Sequence, residues 1–223
     1  MSHTPEGSAT ATTQVLLVRH AEVENPDGIF YGRLPGFGLS ALGRKQAQAL
    51  AGTLADEPLA TVYHSPLLRA EQTAEILAGR HPKLELRPAD ALLEVRSSWM
   101  GAPFAEVPIG VNLYDPPRSE SDETIPDVAE RMTAFLAELT ERHAGQTVCC
   151  VSHGDPIAAA TARYRGDPLT LVTIRWRFPS LCSVTRVRIS TPVTDAARPE
   201  VEYRDVLTEV APALRTPRGV SRR

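Results

Sequence analysis

Three short apolar runs each deliver a charged or nucleophilic side chain at the point where the run stops. Val15-Leu16-Leu17-Val18 leads into Arg19-His20, and Val148-Cys149-Cys150-Val151 leads into Ser152-His153-Gly154. Between them, Val62-Tyr63 leads into His64-Ser65, with Arg69 a helical turn further on. Unbroken apolar runs of this length read as strands buried on both faces, the signature of a parallel sheet. In open α/β sheets, ligands bind outside the carboxyl ends of the strands. Two histidines and two arginines converging on one such edge would make an anion pocket holding a nucleophile.

The segments between these runs read as helices and one long irregular stretch. Ser40 can cap a helix running to about Asp56, with Leu42, Ala47, Leu50 and Leu54 on one stripe. Ser65-Pro66 reads as an N-cap and first helical residue, opening a helix that buries Leu67, Ala70, Ala74 and Leu77. Lys83–Arg87 reads as a further strand. Asp127 to Glu130 resembles a capping box opening a helix to about His143, and Asp155-Pro156 should open another after the Thr147–Ser152 strand. Leu181–Ile189 and Glu200–Asp205 read as strands. Strands alternating with helices imply an α/β domain with a mainly parallel sheet and helices on both faces. Residues 14–210 form the expected single domain. Residues 1–13 read as a disordered tail, 211–223 as a frayed basic tail, and about 95–126 as a lid-like insertion rich in prolines and turn residues.

Bulk properties narrow the function by exclusion. The formal net charge of −3, with no Lys/Arg stripe before the C-terminal run, gives no reason to expect nucleic acid. No stretch approaches a membrane-spanning length and no apolar leader precedes the first strand, so a cytoplasmic protein is expected. Cys149, Cys150 and Cys182 read as buried strand thiols, and the adjacent pair points to opposite faces. No CxxC or HExxH pattern suggests a metal site.

Five segments in order carry a more specific signal: Leu17-Val18-Arg19-His20-Ala21-Glu22, Leu39-Ser40-Ala41-Leu42-Gly43-Arg44-Lys45-Gln46-Ala47, Ser65-Pro66-Leu67-Leu68-Arg69-Ala70-Glu71-Gln72-Thr73-Ala74, Glu123-Thr124-Ile125-Pro126-Asp127-Val128, and Val151-Ser152-His153-Gly154. Together they resemble the histidine phosphatase superfamily, the phosphoglycerate-mutase-like group with its three-layer α/β/α fold. The resemblance implies that His20 is a nucleophile forming a phosphohistidine, which requires a neutral imidazole with one ring nitrogen free. Arg19 and Arg69 would grip phosphoryl oxygens with their planar guanidinium forks. His153 would be a second positive donor, and the helix start at Gly154 would add backbone N–H groups. Glu94 is the expected general acid and base, with Glu106 and Glu85 as rivals.

The sequence departs from the family pattern at several positions. Ala21 stands where glycine is usual after the histidine. Asn25 lies one residue nearer His20 than the family's phosphate-contacting asparagine, so its part in binding stays open. Ser98-Trp99-Met100-Gly101 lacks the carboxylate of the common G-x-W-E-G. Tyr31-Gly32-Arg33 replaces Q-G, and Arg33 either touches a second anionic group of the substrate or is a solvated loop residue.

The expectation is therefore a phosphoric monoester hydrolase of the histidine acid phosphatase type, acting on a small phosphomonoester. Neither cofactor nor metal is expected, because the arginines and His153 supply the charge a metal would otherwise bring. A 2,3-bisphosphoglycerate-dependent mutase is the runner-up, disfavoured by the short stretch between Glu94 and His153. A non-catalytic phosphate-binding module is the alternative of another class. No nucleic-acid or membrane partner is expected, and a homodimer is left open.

Overall fold

The computed structural model describes residues 11–107, 114, 116–191 and 198–216. Strand β1 (Ala11–Arg19) lies at the heart of a six-stranded sheet with β2 (Leu59–His64), β3 (Leu86–Pro88), β4 (Thr147–Ser152), β5 (Val184–Thr191) and β6 (Glu200–Arg204). The strand order is β3-β2-β4-β1-β5-β6. The first four of these are mutually parallel, while β5 and β6 run antiparallel at one edge.

Helices α1 (Ala41–Thr53) and α2 (Leu68–Ala78) cover one face, with Ala47, Leu50, Ala70, Ala74 and Leu77 packed on Leu16, Val18, Cys149 and Val151. Helices α3 (Ile125–Arg142) and α4 (Gly154–Arg165) cover the other, with Met132, Leu136, Leu139 and Ile157 on Val15, Leu17, Val148 and Cys150. Cys149 and Cys150 thus face opposite layers, as a strand's period of two requires. Truncating a fully buried member of either layer, such as Leu136, would cost about 2–5 kcal/mol. Two short helices that the apolar pattern did not reveal, α5 (Leu171–Trp176) and α6 (Val206–Val210), complete the fold.

This layering places a topological switch point between β1 and β4. They are neighbours, yet the chain leaves β1 for α1 on one face and β4 for α4 on the other. Such a crevice is where open α/β sheets bind ligands. The register aligns Arg19 with Ser152, so His20 and His153 each sit one residue past the paired strand ends.

Several expected boundaries shift for local reasons. The first strand begins at Ala11, inside the segment expected to be tail, because β5 pairs with it as far as Thr191 and Thr13 bonds to the end of α3. Residues 1–10, and 217–223 of the expected C-terminal tail, lie outside the described residues. Helix α2 starts at Leu68 rather than Pro66, and the Ser65 hydroxyl serves the site instead of capping α2. The capping box is Thr124 with Asp127, one turn before the expected pair. Cys182 lies in a turn before β5, with φ of 54°, rather than in a strand.

Candidate active site

The nucleophile candidate is fixed by its own backbone. His20 is 1% exposed, and its Nδ1 donates to the Ala21 carbonyl at 2.7 Å. A carbonyl can only accept, so the proton resides on Nδ1 and Nε2 carries the lone pair. Arg69 Nε lies 3.3 Å from that Nε2. Burial, then Arg69 and Arg19, hold the His20 imidazole well below its ordinary pKa and keep it neutral.

The helix-opening motifs act as braces around this residue. Thr73 Oγ1 accepts from the Ala21 N–H and donates to the Arg69 carbonyl, tying the residue after His20 to α2. Gln46 Oε1 accepts the Glu22 N–H, and Ser40 donates to the Glu22 carboxylate while capping α1 through Gly43.

Arg19 and Arg69 are both buried, and each spends part of its guanidinium on the protein. Arg19 Nη1 donates to the Pro179 carbonyl at 2.8 Å, with its guanidinium carbon 4.7 Å from the Phe178 ring centre. Arg69 Nη2 donates to the Gly32 carbonyl at 2.7 Å and stacks over Tyr31. Arg19 Nε, Arg69 Nη1 and His153 Nδ1 are buried with no hydrogen-bond partner among the described residues. Buried donors of this kind are costly unless something accepts from them.

His153 packs beside His20, ring centres 5.1 Å apart, and its Nε2 meets Ser65 Oγ at 2.8 Å. The parallel register of β2 with β4 puts Ser65 there. Burial, then Arg69, push the His153 pKa well down. Gly154 opens α4, and a Cβ there would come within 2.3 Å of Phe178. Glycine is therefore demanded by packing at the helix N-terminus.

Glu94 follows a short 3₁₀ turn (Asp90–Leu92) that Ser152 anchors by donating to the Leu92 carbonyl. One carboxyl oxygen accepts the Val95 N–H at 2.9 Å. Burial first, then Asp155, raises its pKa to about 7, against the opposing pull of Arg69 and Arg19. Asp155 was not singled out as a site residue in the sequence; its position in the first turn of α4, directly after Gly154, was the available signal. It is hydrogen-bonded to Tyr114, which comes from the 95–126 stretch and packs with Val128 and Ala158. The rivals fall away on position: Glu85 forms an exposed pair with Arg87, and Glu106 ends a short turn beyond the Phe30–Phe104 contact.

Two candidate binding residues have other employment. Asn25 brackets its own loop, Nδ2 donating to the Ile29 carbonyl and Oδ1 accepting the Ile29 N–H. Arg33 is no solvated loop residue: its Nε donates to the Glu94 carbonyl and its Nη2 to Glu123, both at 2.6 Å. Among the described residues, no group of three or more His, Cys, Asp or Glu side chains is arranged to hold a metal ion, and no helix is long and apolar enough to cross a membrane.

Fold and site together define an α/β protein that presents a neutral histidine between two buried arginines at a sheet switch point. Residues 15–198 match the model of the histidine phosphatase superfamily (branch 1), and the chain belongs to that family. It is 38% identical over 157 residues to phosphoserine phosphatase 1 of Hydrogenobacter thermophilus, covering 66% of this chain and 73% of that one. It is 41% identical over 152 residues to an uncharacterized protein of Mycobacterium tuberculosis, covering 65% and 75%. Its fold superposes on a mycobacterial glucosyl-3-phosphoglycerate phosphatase with a TM-score of 0.69 at 27% identity, covering 79% of this chain and 90% of that one.

Proposed function

We propose that this protein is a metal-independent phosphatase that hydrolyses a small phosphomonoester through a phosphohistidine on His20. The observation that carries the reading is the His20 geometry: Nδ1 donates to a carbonyl, which puts the lone pair on Nε2, where it accepts a long bond from the buried Arg69 Nε. In the first step Nε2 attacks phosphorus, the P–O ester bond breaks, and the departing oxygen takes the proton of Glu94. In the second, Glu94 takes a proton from water as its oxygen attacks phosphorus. The P–N bond breaks, the electron pair returns to Nε2, and inorganic phosphate leaves.

Arg19 Nε, Arg69 Nη1 and the N–H groups at the start of α4 hold the phosphoryl oxygens, since phosphoryl transfer depends mainly on positioning and charge stabilisation. Ser65 Oγ pairs with His153 Nε2 at 2.8 Å. In the tautomer in which the Ser65 hydroxyl donates to His153 Nε2, His153 Nδ1–H is the proton offered to the phosphoryl group. A pKa near 7 lets Glu94 serve as acid and then base around neutrality. The named activities of the relatives favour hydrolysis over the mutase reading and make phosphoserine and phosphoglycerate esters the first substrates to try.

The test is hydrolysis of p-nitrophenyl phosphate by wild type and His20→Ala, with and without EDTA, alongside phosphoserine, 3-phosphoglycerate and 2,3-bisphosphoglycerate. Turnover that survives EDTA and vanishes in the variant is the expected result. Bisphosphoglycerate-dependent interconversion of phosphoglycerates without net hydrolysis would give the site to a mutase. A folded protein that never labels on His20 would give it to a binding module.

A further inference from the structure

Glu94 enters the site from an irregular segment, yet its peptide carbonyl accepts from two arginines. Its carbonyl accepts from Arg33 Nε at 2.6 Å and from Arg131 Nη2 at 3.4 Å. Arg131 Nη1 also donates to the Ala91 carbonyl at 2.7 Å, gripping the chain at both ends of the turn that leads into Glu94. Both guanidinium groups pair with one carboxylate. Glu123 Oε1 accepts from Arg131 Nε at 2.7 Å, and Oε2 accepts from Arg33 Nη2 at 2.6 Å and Arg131 Nη2 at 3.2 Å. The same Oε2 accepts the Arg96 N–H at 2.8 Å, and the Glu123 N–H returns a bond to the Arg96 carbonyl.

Two separate parts of the chain, the loop before α1 and the first turns of α3, therefore converge on a single peptide unit, and Glu123 from the approach to α3 ties their arginines together. Neither arginine side chain is more than 20% exposed, so this is no solvated surface pair. Two planar donors on one carbonyl fix the peptide plane, and with it the direction in which the Glu94 side chain leaves the backbone.

We propose that Arg33, Glu123 and Arg131 are positioning residues that aim the Glu94 carboxyl at the leaving oxygen. The proposal rests on the phosphatase reading, with Glu94 as acid and base. Arg33 then acts through Glu94 rather than by touching substrate, and Glu123 keeps the two arginines from repelling each other out of the clamp.

The consequence is selective. A misaimed acid harms the step in which an alkoxide departs, and spares the departure of p-nitrophenolate, which needs no proton. Glu123→Gln is expected to slow phosphohistidine formation from an alkyl phosphomonoester by about 10- to 100-fold, while the p-nitrophenol burst stays within about threefold of wild type. Adding Glu94→Gln to Glu123→Gln should cost no more than Glu94→Gln alone, the non-additivity of two residues acting through one group. Arg33→Lys keeps the charge but loses one of two donors, and should give a smaller loss of the same kind.

Equal slowing of both substrates, or additive losses in the double variant, would overturn the proposal in favour of a general structural role. A raised KM with unchanged kcat in Arg33→Lys would overturn it in favour of a substrate contact. If Glu123→Gln does not fold, Arg33→Lys and its double with Glu94→Gln decide by the same criteria. Absence of His20 labelling in the wild type would mark failure of the phosphatase reading itself, upstream of the clamp.

Discussion

His20, Arg19 and His153 reach the site from the ends of two adjacent strands, whereas Glu94 reaches it from a segment with little regular structure. The first group forms a floor whose aim is set by sheet register, one residue past the pairing of Arg19 with Ser152. The second belongs to a roof whose aim is set by side chains, above all the ion-paired clamp of Arg33, Glu123 and Arg131. The floor is nearly sealed from solvent; the roof carries exposed Arg96, Arg118 and Ser98. Backbone register cannot be retuned by one substitution, and a side-chain network can. On the proposed mechanism the fixed task, phosphoryl transfer, falls to the floor, and the adjustable ones, proton delivery and substrate choice, to the roof.

The sharpest break between the two comes from the nucleophile. His20→Ala should lower kcat/KM by at least about 10⁴-fold for every substrate and abolish acid-labile labelling by a ³²P-phosphomonoester. Any substrate that escapes this loss would mean the floor is not where transfer happens. Glu94→Gln should lose about 10²–10⁴-fold on alkyl phosphates but still give a p-nitrophenol burst, so a variant without a burst would dissolve the division of labour.

The pH dependence sharpens the same contrast. Glu94 must be protonated to serve a leaving alkoxide, so alkyl-phosphate burst rates should fall as pH rises through about 7. The p-nitrophenyl burst should lack that limb, and Glu94→Gln should remove it from the alkyl-phosphate rates. A limb that persists in the variant would belong to another group.

Gly154→Ala tests the floor by packing. The added methyl meets the ring of Phe178, which itself lies over Arg19. Overpacking of this kind costs about 1–3 kcal/mol, and weaker inhibition by inorganic phosphate should accompany the lowered Tm. The smallest effect is expected at the roof's rim. Arg118 stacks on Trp99 with its guanidinium carbon 4.1 Å from the ring centre, and an exposed pair of this type is worth about 0.5–1 kcal/mol. Arg118→Ala should leave the p-nitrophenyl burst untouched and shift Tm by less than about 4 °C.

The same division explains what could be read from the chain alone. Val15–Val18 and Val148–Val151 are buried on both faces, so their composition announces strands and their ends announce the site. The helix-opening motifs were visible, but not their purpose. Thr73 and Gln46 brace the backbone around His20 across long sequence separations, which no local pattern encodes. Arg33 was visible as a charge in a loop, and only the folded position of Glu123 shows what that charge meets. Ser65 satisfied the rule for a helix cap and was claimed by His153 instead, a tertiary contact overriding a local preference.

Glu22, two residues past the nucleophile, also accepts from the Thr216 hydroxyl, and Gln46 donates to the Leu214 carbonyl. Strand β1 is meanwhile flanked by β4 and β5. During synthesis from the ribosome His20 is thus made long before the residues that secure it. Its strand must wait for both neighbours, and the latch behind it closes only after residue 216 has emerged. A nascent chain halted before that point holds the right histidine in an unfinished cradle.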